Sequence, residues 1–476
     1  MLRADFHRPG GPRGARDKAD ADLEAERLIR GRLHAFDASW RYLGEETGAG
    51  EGAPGSPVWL VDPNDGTRDY LVGRRGSAVS IGLAHEGRPR LGVVYAFAHP
   101  DDRGELFAWA EGCGSLRHDE VAVEVALPAA LGRSDVALVS SRADRDPEAS
   151  LLAVEPARYQ TLPSIAYRLA ATAAGQAAAA TSLYAPGAWD YAAGHALLRA
   201  VGGALVDERG REVGYDDQGG SSTRRAFGGS PLVVADLAAR RWEGAQESDG
   251  SSAWRVRLRP GEAVSDPARL SRAHGCLLAL IAADSSGGWE PERDLQDDPG
   301  GGRLAGQPRA AGEMAIALAR SIVAESGFDR AAALAAYREW AASEPPARPG
   351  ADAVLARAAV LGVFAHALPG PEAAELARAD ATLTGSDAAT AASAAERAAA
   401  IARAVGGVEA PGPVTTGALF GATQGRGAVP AQWRRMVLSC RPHPLRTSRP
   451  RPRACWPVDL MEIAERLLLA GESATD

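Results

Sequence analysis

The sequence predicts a chain in two parts, a mixed α/β (α+β) half followed by an all-helical half. Three observations predict it. Up to about residue 240, short apolar, β-branched runs alternate with segments of helical period. Beyond residue 268 the strand signal fades, and helical patterns follow one another. Between them residues 244–252 read GAQESDGSS, a small, polar stretch of linker composition. The chain has 476 residues, 45% of them hydrophobic, which is room for two or three domains with cores that need no metal or disulfide staple. The expected division is a disordered lead (1–16), a first domain (17–243), a linker (244–268) and a second domain (269–476).

In chain order, residues 20–36 carry Leu23, Leu28, Ile29 and Leu33 at helical spacing. Residues 48–56 form a Gly/Pro loop, and 58–61 a short apolar strand that ends at Asp62. Residues 78–84 and 91–98 are two strands joined by a turn around 86–89. Residues 105–109, 121–126 and 136–140 extend the strand pattern. A helix over 165–174, a strand over 180–184 and an apolar helix over 189–201 follow. Residues 204–206 and 232–235 close the mixed unit. Helices are then expected over 270–282, 313–326, 330–342, 353–367, 373–381, 389–405 and 458–469, with turn-rich breaks at 303–309 and 406–414.

The charge balance is 53 basic against 61 acidic residues, a net of −8. That lacks the basic footprint a general nucleic-acid binder needs. The basic residues are nearly all arginine, so any catalytic lysine would have to be Lys18. Cys113, Cys276, Cys440 and Cys455 are far apart with no CxxC, which argues against a disulfide framework or a zinc site and for a reducing, cytoplasmic compartment. No apolar run approaches the ~18 residues of a membrane span. Residues 1–18 hold charges, Gly and Pro without an apolar core, so they do not read as a secretory signal.

The sharpest local signal is Asp62-Pro63-Asn64-Asp65-Gly66-Thr67, directly after a strand. Two carboxylates three residues apart at a strand end can turn toward one point. Pro63 and Gly66 let the backbone bend a main-chain carbonyl toward the same point. Hard oxygen donors with open positions suit Mg²⁺. Gly66 and Thr67 could offer N–H groups, and Thr67 a hydroxyl, to phosphate oxygens. Gly44-Glu45-Glu46-Thr47 lies upstream, and Asp190 opens a helix, where the dipole favours a carboxylate.

These motifs resemble the inositol monophosphatase family. Over residues 17–240 they stand in order as Gly44-Glu45-Glu46, Trp59-Leu60-Val61-Asp62-Pro63-Asn64-Asp65-Gly66-Thr67, Val79-Ser80-Ile81-Gly82 and Trp189-Asp190-Tyr191-Ala192-Ala193-Gly194. The resemblance implies a layered αβαβα fold of the sugar-phosphatase type and a Mg²⁺-dependent phosphomonoesterase acting on a small sugar, cyclitol or nucleotide phosphate. It implies metal ligation by Glu45, Asp62, the Asn64 carbonyl, Asp65 and Asp190. Catalytic roles fall to Glu45, Asp65 and Thr67, with Glu45 and Thr67 orienting the attacking water. Gly66, Thr67 and Asp190 would bind substrate. A small-molecule phosphate ester is then the partner, and a homodimer is left open. Glu46 competes with Glu45 for the ligand position, and Asp22 reads equally as a solvated helix residue or as an outer support. His195 and Cys113 read as structural. The family's opening helix is largely missing, and Ala19 replaces its usual threonine if Asp22 is the helical aspartate that follows. Arg68-Asp69-Tyr70 is closer to the 3′-phosphoadenosine phosphatase branch than to the inositol phosphatases.

Residues 269–472 resemble the ADP-ribosylglycohydrolase family, which is all-α and normally holds two Mg²⁺. The matching segments include Arg272-Ala273-His274-Gly275-Cys276, Gly306-Gln307, Glu313-Met314-Ala315-Ile316, Leu361-Gly362-Val363-Phe364 and Gly417-Ala418-Leu419-Phe420-Gly421. The metal-binding aspartates do not match. Their positions read Arg309-Ala310-Ala311 and Gly406-Gly407-Val408-Glu409-Ala410, and Asp284 stands alone. Ala and Val cannot hold Mg²⁺. This half therefore reads as degenerate and non-catalytic: a scaffold, a regulatory module, or a pocket that takes an ADP-ribose-like ligand as its partner without cleaving it. The alternative is a chain that acts as an ADP-ribosyl hydrolase or ADP-ribose-binding protein through this half. Residues 50–55 formally match GxGxxG but precede a strand and contain Pro54, so no dinucleotide site is expected. The basic, Pro-rich run 441–453 reads as a solvated loop, with a phosphate-binding loop as the other reading.

Overall fold

The computed structural model describes residues 1–246, 252–345, 347–408 and 416–474. They divide into two compact units. One is Met1–Ser252 with Arg259–Glu262, and the other is Ala253–Leu258 with Ala263–Asp476.

The first unit opens with α1 (Leu2–Phe6), the two-residue strands β1 (Gly14–Ala15) and β2 (Lys18–Ala19), and α2 (Asp20–Phe36). Then come β3 (Arg41–Gly44), β4 (Gly48–Gly50), β5 (Val58–Asp65), α3 (Thr67–Leu71), β6 (Ala78–His85), β7 (Arg88–Ala96), β8 (Glu105–Ala110), β9 (Arg117–His118) and β10 (Val121–Ala122). The second run is β11 (Val136–Val139), α4 (Pro147–Ala153), β12 (Arg158–Thr161), α5 (Ile165–Ala173), β13 (Ala179–Ser182), α6 (Ala188–Ala200), β14 (Ala204–Asp207), β15 (Ala226–Gly229), α7 (Pro231–Ala239) and α8 (Glu243–Gln246). Residues 232–235 thus lie inside a helix, which Ser230 caps and Pro231 opens.

Two sheets result. The larger has the order β10-β9-β8-β7-β6-β5-β3-β4, and the smaller β12-β11-β13-β15-β14. In the larger, β3 and β5 run parallel and every other neighbour pair is antiparallel. Alternation along β5 explains the layering. Trp59 and Val61 join Tyr42 and Leu83 in a cluster against Ile29 and Leu33 of α2. On the other face α6 presses flush on the sheet: a Cβ at Gly92 would fall 2.2 Å from the Ala193 carbonyl oxygen. Leu169 of α5 and Leu198 of α6 in turn abut Gly228 of the smaller sheet. Beyond that sheet, Leu151 and Val154 of the α4 region and Val234 and Leu237 of α7 pack on Val139, Tyr159 and Phe227. The order is helix, sheet, helix pair, sheet, helix pair, the expected αβαβα arrangement.

Residues 1–16 correct the expectation of a disordered lead. Leu2 and Phe6 are buried one helical turn apart, with the Phe6 ring against Tyr70. Tyr70 Oη donates to the Leu2 carbonyl and to Asp5, and Arg3 Nε donates to the Phe97 carbonyl. Two apolar anchors suffice to dock a segment whose composition reads as solvent.

The second unit consists of α9 (Pro267–Ser286), α10 (Ala310–Glu325), α11 (Arg330–Ala342), α12 (Ala351–Phe364), α13 (Gly370–Leu383), α14 (Ala388–Val405), α15 (Gly417–Gln424), α16 (Ala431–Leu438) and α17 (Leu460–Ser473). It has no strand among the described residues. The expected linker is only partly a tether. Residues 247–251 lie outside the described residues, whereas Val256 N–H donates to Asp459, Val264 N–H donates to Glu465, and Arg255 pairs with Glu462. Among the described residues no helix is long and apolar enough to cross a membrane.

Candidate functional site

β3 and β5 end side by side because they are parallel, so Glu45 and Asp62 arrive at one end of the sheet. The Glu45 N–H extends the pairing to the Val61 carbonyl at 3.1 Å. Register with β6 then breaks between Asp62 and Asp65. Such an irregularity re-aims side chains that strict alternation would put on opposite faces. The Asn64 N–H closes the bend onto Asp62 Oδ1 at 2.7 Å.

Gly66 follows with φ +102°. A Cβ there would meet Ser77 Oγ at 3.0 Å and Pro163 Cβ at 3.2 Å. Gly66→Ala should therefore lower stability in urea unfolding by about 1–2 kcal/mol from the backbone conformation alone, and lower activity with it. Equal stability of the two proteins would refute this reading of the turn.

Asp190 enters from α6, where its Oδ2 accepts the Gly187 N–H at 2.8 Å. Ser80 Oγ fixes that helix end to β6 by donating to the Trp189 carbonyl at 2.8 Å. Asp65 Oδ2 accepts from Ser164 Oγ at 2.6 Å and from Ala166 N–H at 2.7 Å, both at the start of α5.

Glu45, Asp62, Asp65 and Asp190 thus meet in one cluster, and their electrostatics show it. Desolvation holds the Asp62 carboxyl well above the usual range, aided by Glu45, Asp65 and Asp190. Desolvation, then Asp65 and Glu45, do the same to Asp190. Glu45 is pushed up to about 7, by desolvation of its head and by Glu46, Asp65 and Asp22, against a hydrogen bond with Asp62. Asp65 is raised by burial, but Ser164, the N–H groups of α5 and the charge of Arg168 oppose the rise. Among the described residues no three acidic, histidine or cysteine side chains are closed round one ion-sized point. Glu45 and Asp190 each hydrogen-bond to Asp62. The donor set is all oxygen and strongly anionic, which suits a hard dication.

The two glutamates of the Glu45–Glu46 pair face different neighbours. Glu45 meets Asp62, whereas Glu46 feels Lys18 and Glu26. The turn itself hangs on Glu26, a fully buried carboxylate of α2. Glu26 Oε2 accepts the Glu46 N–H at 2.7 Å, and Oε1 accepts the Thr47 N–H at 2.9 Å and the Thr47 hydroxyl at 2.5 Å.

Asp22 also has a definite place. It is fully buried, with Oδ1 accepting from Asn64 Nδ2 at 2.9 Å. The Thr67 hydroxyl lies 3.1 Å from Asp22 Oδ2 and 3.0 Å from the Asn64 carbonyl oxygen. Thr67 thus lies against Asp22. Burial pushes Asp22 up to about 6, against its bonds with Asn64 and Thr67. Only its place in the first turn of α2, three residues from a buried alanine, hinted at an inward carboxylate.

Arginines stand beside the turn. Arg74 and Ser141 both bind Asp69, at 2.6 and 2.8 Å. The Arg142 guanidinium lies over the Tyr184 ring at 4.2 Å. Arg168 is 2% exposed, its Nε and Nη1 have no hydrogen-bond partner among the described residues, and burial lowers it to about 10 against the pull of Asp65, Asp69 and Tyr184. His195 is buried on Tyr215, with Nδ1 3.1 Å from the phenol oxygen, and burial lowers it to about 3. Cys113 is exposed.

In the helical unit Asp284 serves as a helix cap. Its Oδ2 accepts the Arg309 N–H at 2.5 Å at the start of α10. Glu409 lies outside the described residues. The run 441–453 is solvated only in part: Arg441, Arg446 and Arg451 are buried, and Arg451 grips Glu313 through Nε and Nη2 at 2.8 and 2.9 Å.

Residues 12–242 match the family model of the inositol monophosphatase family, and residues 265–413 that of ADP-ribosylglycohydrolase. The 3′(2′),5′-bisphosphate nucleotidase CysQ of Escherichia coli K12 is 30% identical over 205 residues, which is 41% of this chain and 78% of that protein. The inositol-1-monophosphatase of Mesorhizobium japonicum is 32% identical over 207 residues, 42% of this chain and 75% of that one. The solved inositol monophosphatase of Anabaena (Nostoc) sp. PCC 7120 is 23% identical with a TM-score of 0.39, over 46% of this chain and 84% of that one. The chain belongs to the inositol monophosphatase family of phosphomonoesterases, joined in one polypeptide to an ADP-ribosylglycohydrolase-like part.

Proposed function

We propose that the first unit hydrolyses a small phosphate monoester with Mg²⁺, using water as the nucleophile. The observation that carries this reading is the meeting of Glu45, Asp62, Asp65 and Asp190 beside the Gly66–Thr67 turn. Glu45, Asp62, the Asn64 carbonyl, Asp65 and Asp190 are the groups that would hold Mg²⁺, which supplies charge neutralisation and acidifies water when bound. Gly66 and Thr67 present N–H groups at the start of α3, where a helix leaves them unpaired, to the phosphate oxygens. Asp22, near 6, is an acceptor poised close to neutral pH. It takes the Thr67 hydroxyl proton as the threonine oxygen takes one from the attacking water.

Thr67→Ala and Asp22→Asn should each lower kcat by about 10²–10⁴-fold with KM little changed, since positioned proton transfer is worth that much. Steady-state phosphate release checks this, and unchanged kcat in both variants would remove the dyad from the mechanism.

The substrate reading is a nucleotide carrying a second phosphate, the kind named for the Escherichia coli relative. The buried, incompletely paired Arg168 beside Asp69 and Tyr184 favours an additional anionic group over a neutral cyclitol. Turnover of 3′-phosphoadenosine 5′-phosphate and of inositol 1-phosphate, measured side by side with and without EDTA, decides between them.

For the helical unit the reading is a non-catalytic role, because Asp284, the aspartate that matches the family pattern, caps α10. An ADP-ribose-like compound is the ligand to titrate. Release of ADP-ribose from modified arginine by the full chain would overturn this.

A further inference from the structure

Ser164 does two things with one hydroxyl. It is fully buried and stands at the N-cap of α5. Its oxygen accepts the Tyr167 N–H at 2.9 Å, as an N-cap serine does. Capping uses a lone pair and leaves the proton free to choose a partner. That proton goes to Asp65 Oδ2 at 2.6 Å, where the Ala166 N–H also arrives at 2.7 Å.

Oδ2 of Asp65 is thus occupied by two donors from one helix end. The carboxylate torsion of an aspartate is otherwise broad and nearly two-fold, so nothing intrinsic to Asp65 decides which oxygen faces the cluster. The dipole of α5 further favours a negative charge at this point, against the repulsion of Glu45, Asp62 and Asp190.

We propose that Ser164 is a positioning residue, whose hydroxyl proton pins Asp65 Oδ2 to α5 and leaves Oδ1 as the oxygen presented to a divalent cation. The inference rests on the reading that this cluster holds Mg²⁺. Mg²⁺ demands near-ideal geometry, so a ligand free to rotate binds it less well. Outer partners of metal ligands are worth about 10–100-fold in affinity or activity.

The test uses the full chain and three variants. Ser164→Thr keeps both the cap and the proton. Ser164→Gly removes the hydroxyl, yet glycine is itself an acceptable N-cap, so folding suffers little. Ser164→Ala removes the hydroxyl and leaves a poor cap. Mg²⁺ binding is read by calorimetry with MgCl₂ alone, the Mg²⁺ dependence of phosphate release separately, and thermal melting in EDTA reports the cap. The expected result is Mg²⁺ affinity about 10–100-fold weaker in the Gly and Ala variants and near parental in Thr. The half-activating Mg²⁺ concentration should rise in the same proportion, while KM for the ester moves less. Parental Mg²⁺ affinity in Ser164→Gly, whatever its melting point, would overturn the proposal and leave Ser164 a cap. A parent protein that takes up no Mg²⁺ would overturn the metal reading, and this inference with it.

Discussion

Asp65→Asn should abolish Mg²⁺-dependent phosphate release by the full chain. The substitution keeps the size of the side chain and an acceptor for Ser164 and Ala166, which hold Oδ2 at 2.6 and 2.7 Å. It removes one negative charge from the four-carboxyl cluster. Changing the outer partner of a ligand costs about 10–100-fold, so losing the ligand itself should cost well above 100-fold. Stability should move the other way. Asp65 is buried beside carboxyls that repel it, and in the absence of metal the neutral amide relieves that repulsion. The expected pair of results is a lost rate and, in EDTA, a melting temperature at or above that of the parent. An active Asp65→Asn protein would sink the assignment of the site.

The largest loss of stability should come from Glu313→Ala. Glu313 is 2% exposed and Arg451 8%. Glu313 holds Arg451 by two hydrogen bonds and accepts Trp340 Nε1–H at 2.8 Å. Arg451 also donates to the carbonyl and hydroxyl oxygens of Ser343, at 3.0 and 2.8 Å. Removing the carboxylate leaves a buried cation without its counter-charge, which costs about 3–5 kcal/mol. The indole N–H loses its acceptor as well. Urea unfolding followed by tryptophan fluorescence should show the transition of the helical unit at a markedly lower midpoint. Glu313→Gln keeps one acceptor and should fall between the parent and the alanine variant. A midpoint unchanged by Glu313→Ala would mean that Arg451 is hydrated, contrary to its burial.

Much of this was legible because it is local. The six residues from Asp62 to Thr67 carry their own bend and two of the four clustered carboxylates, so a linear reading finds them. What required the folded chain is long-range. Asp22 is 42 positions from Asn64 and 45 from Thr67, and its first-turn location looks the same in a solvated helix. Glu26 shows no sequence signal for holding a turn 20 residues away, because a glutamate in a helix is ordinary. The run 441–453 reads as solvated by composition, yet Glu313, 138 residues earlier, draws Arg451 inside. The helices Gly417–Gln424 and Ala431–Leu438 are two turns each, too short for a periodic pattern to stand out. Asp284 survives in the sequence as a lone acid, and only the structure shows its oxygen committed to the Arg309 N–H.

The cluster is drawn from Glu45, from the end of β5, and from the start of α6 more than a hundred residues later, with α5 supporting it between. No shorter stretch contains it, so an unfolded chain has no competing site of comparable affinity. On the proposed Mg²⁺ reading, dication binding is then thermodynamically linked to closure of the first unit. At a hundred times its dissociation constant a ligand bound only by the folded form adds about 2.7 kcal/mol. The ion becomes a reporter of completed folding: the melting temperature of the first unit should climb with Mg²⁺ concentration, whereas that of the helical unit, with Asp284 spent on a cap, should not.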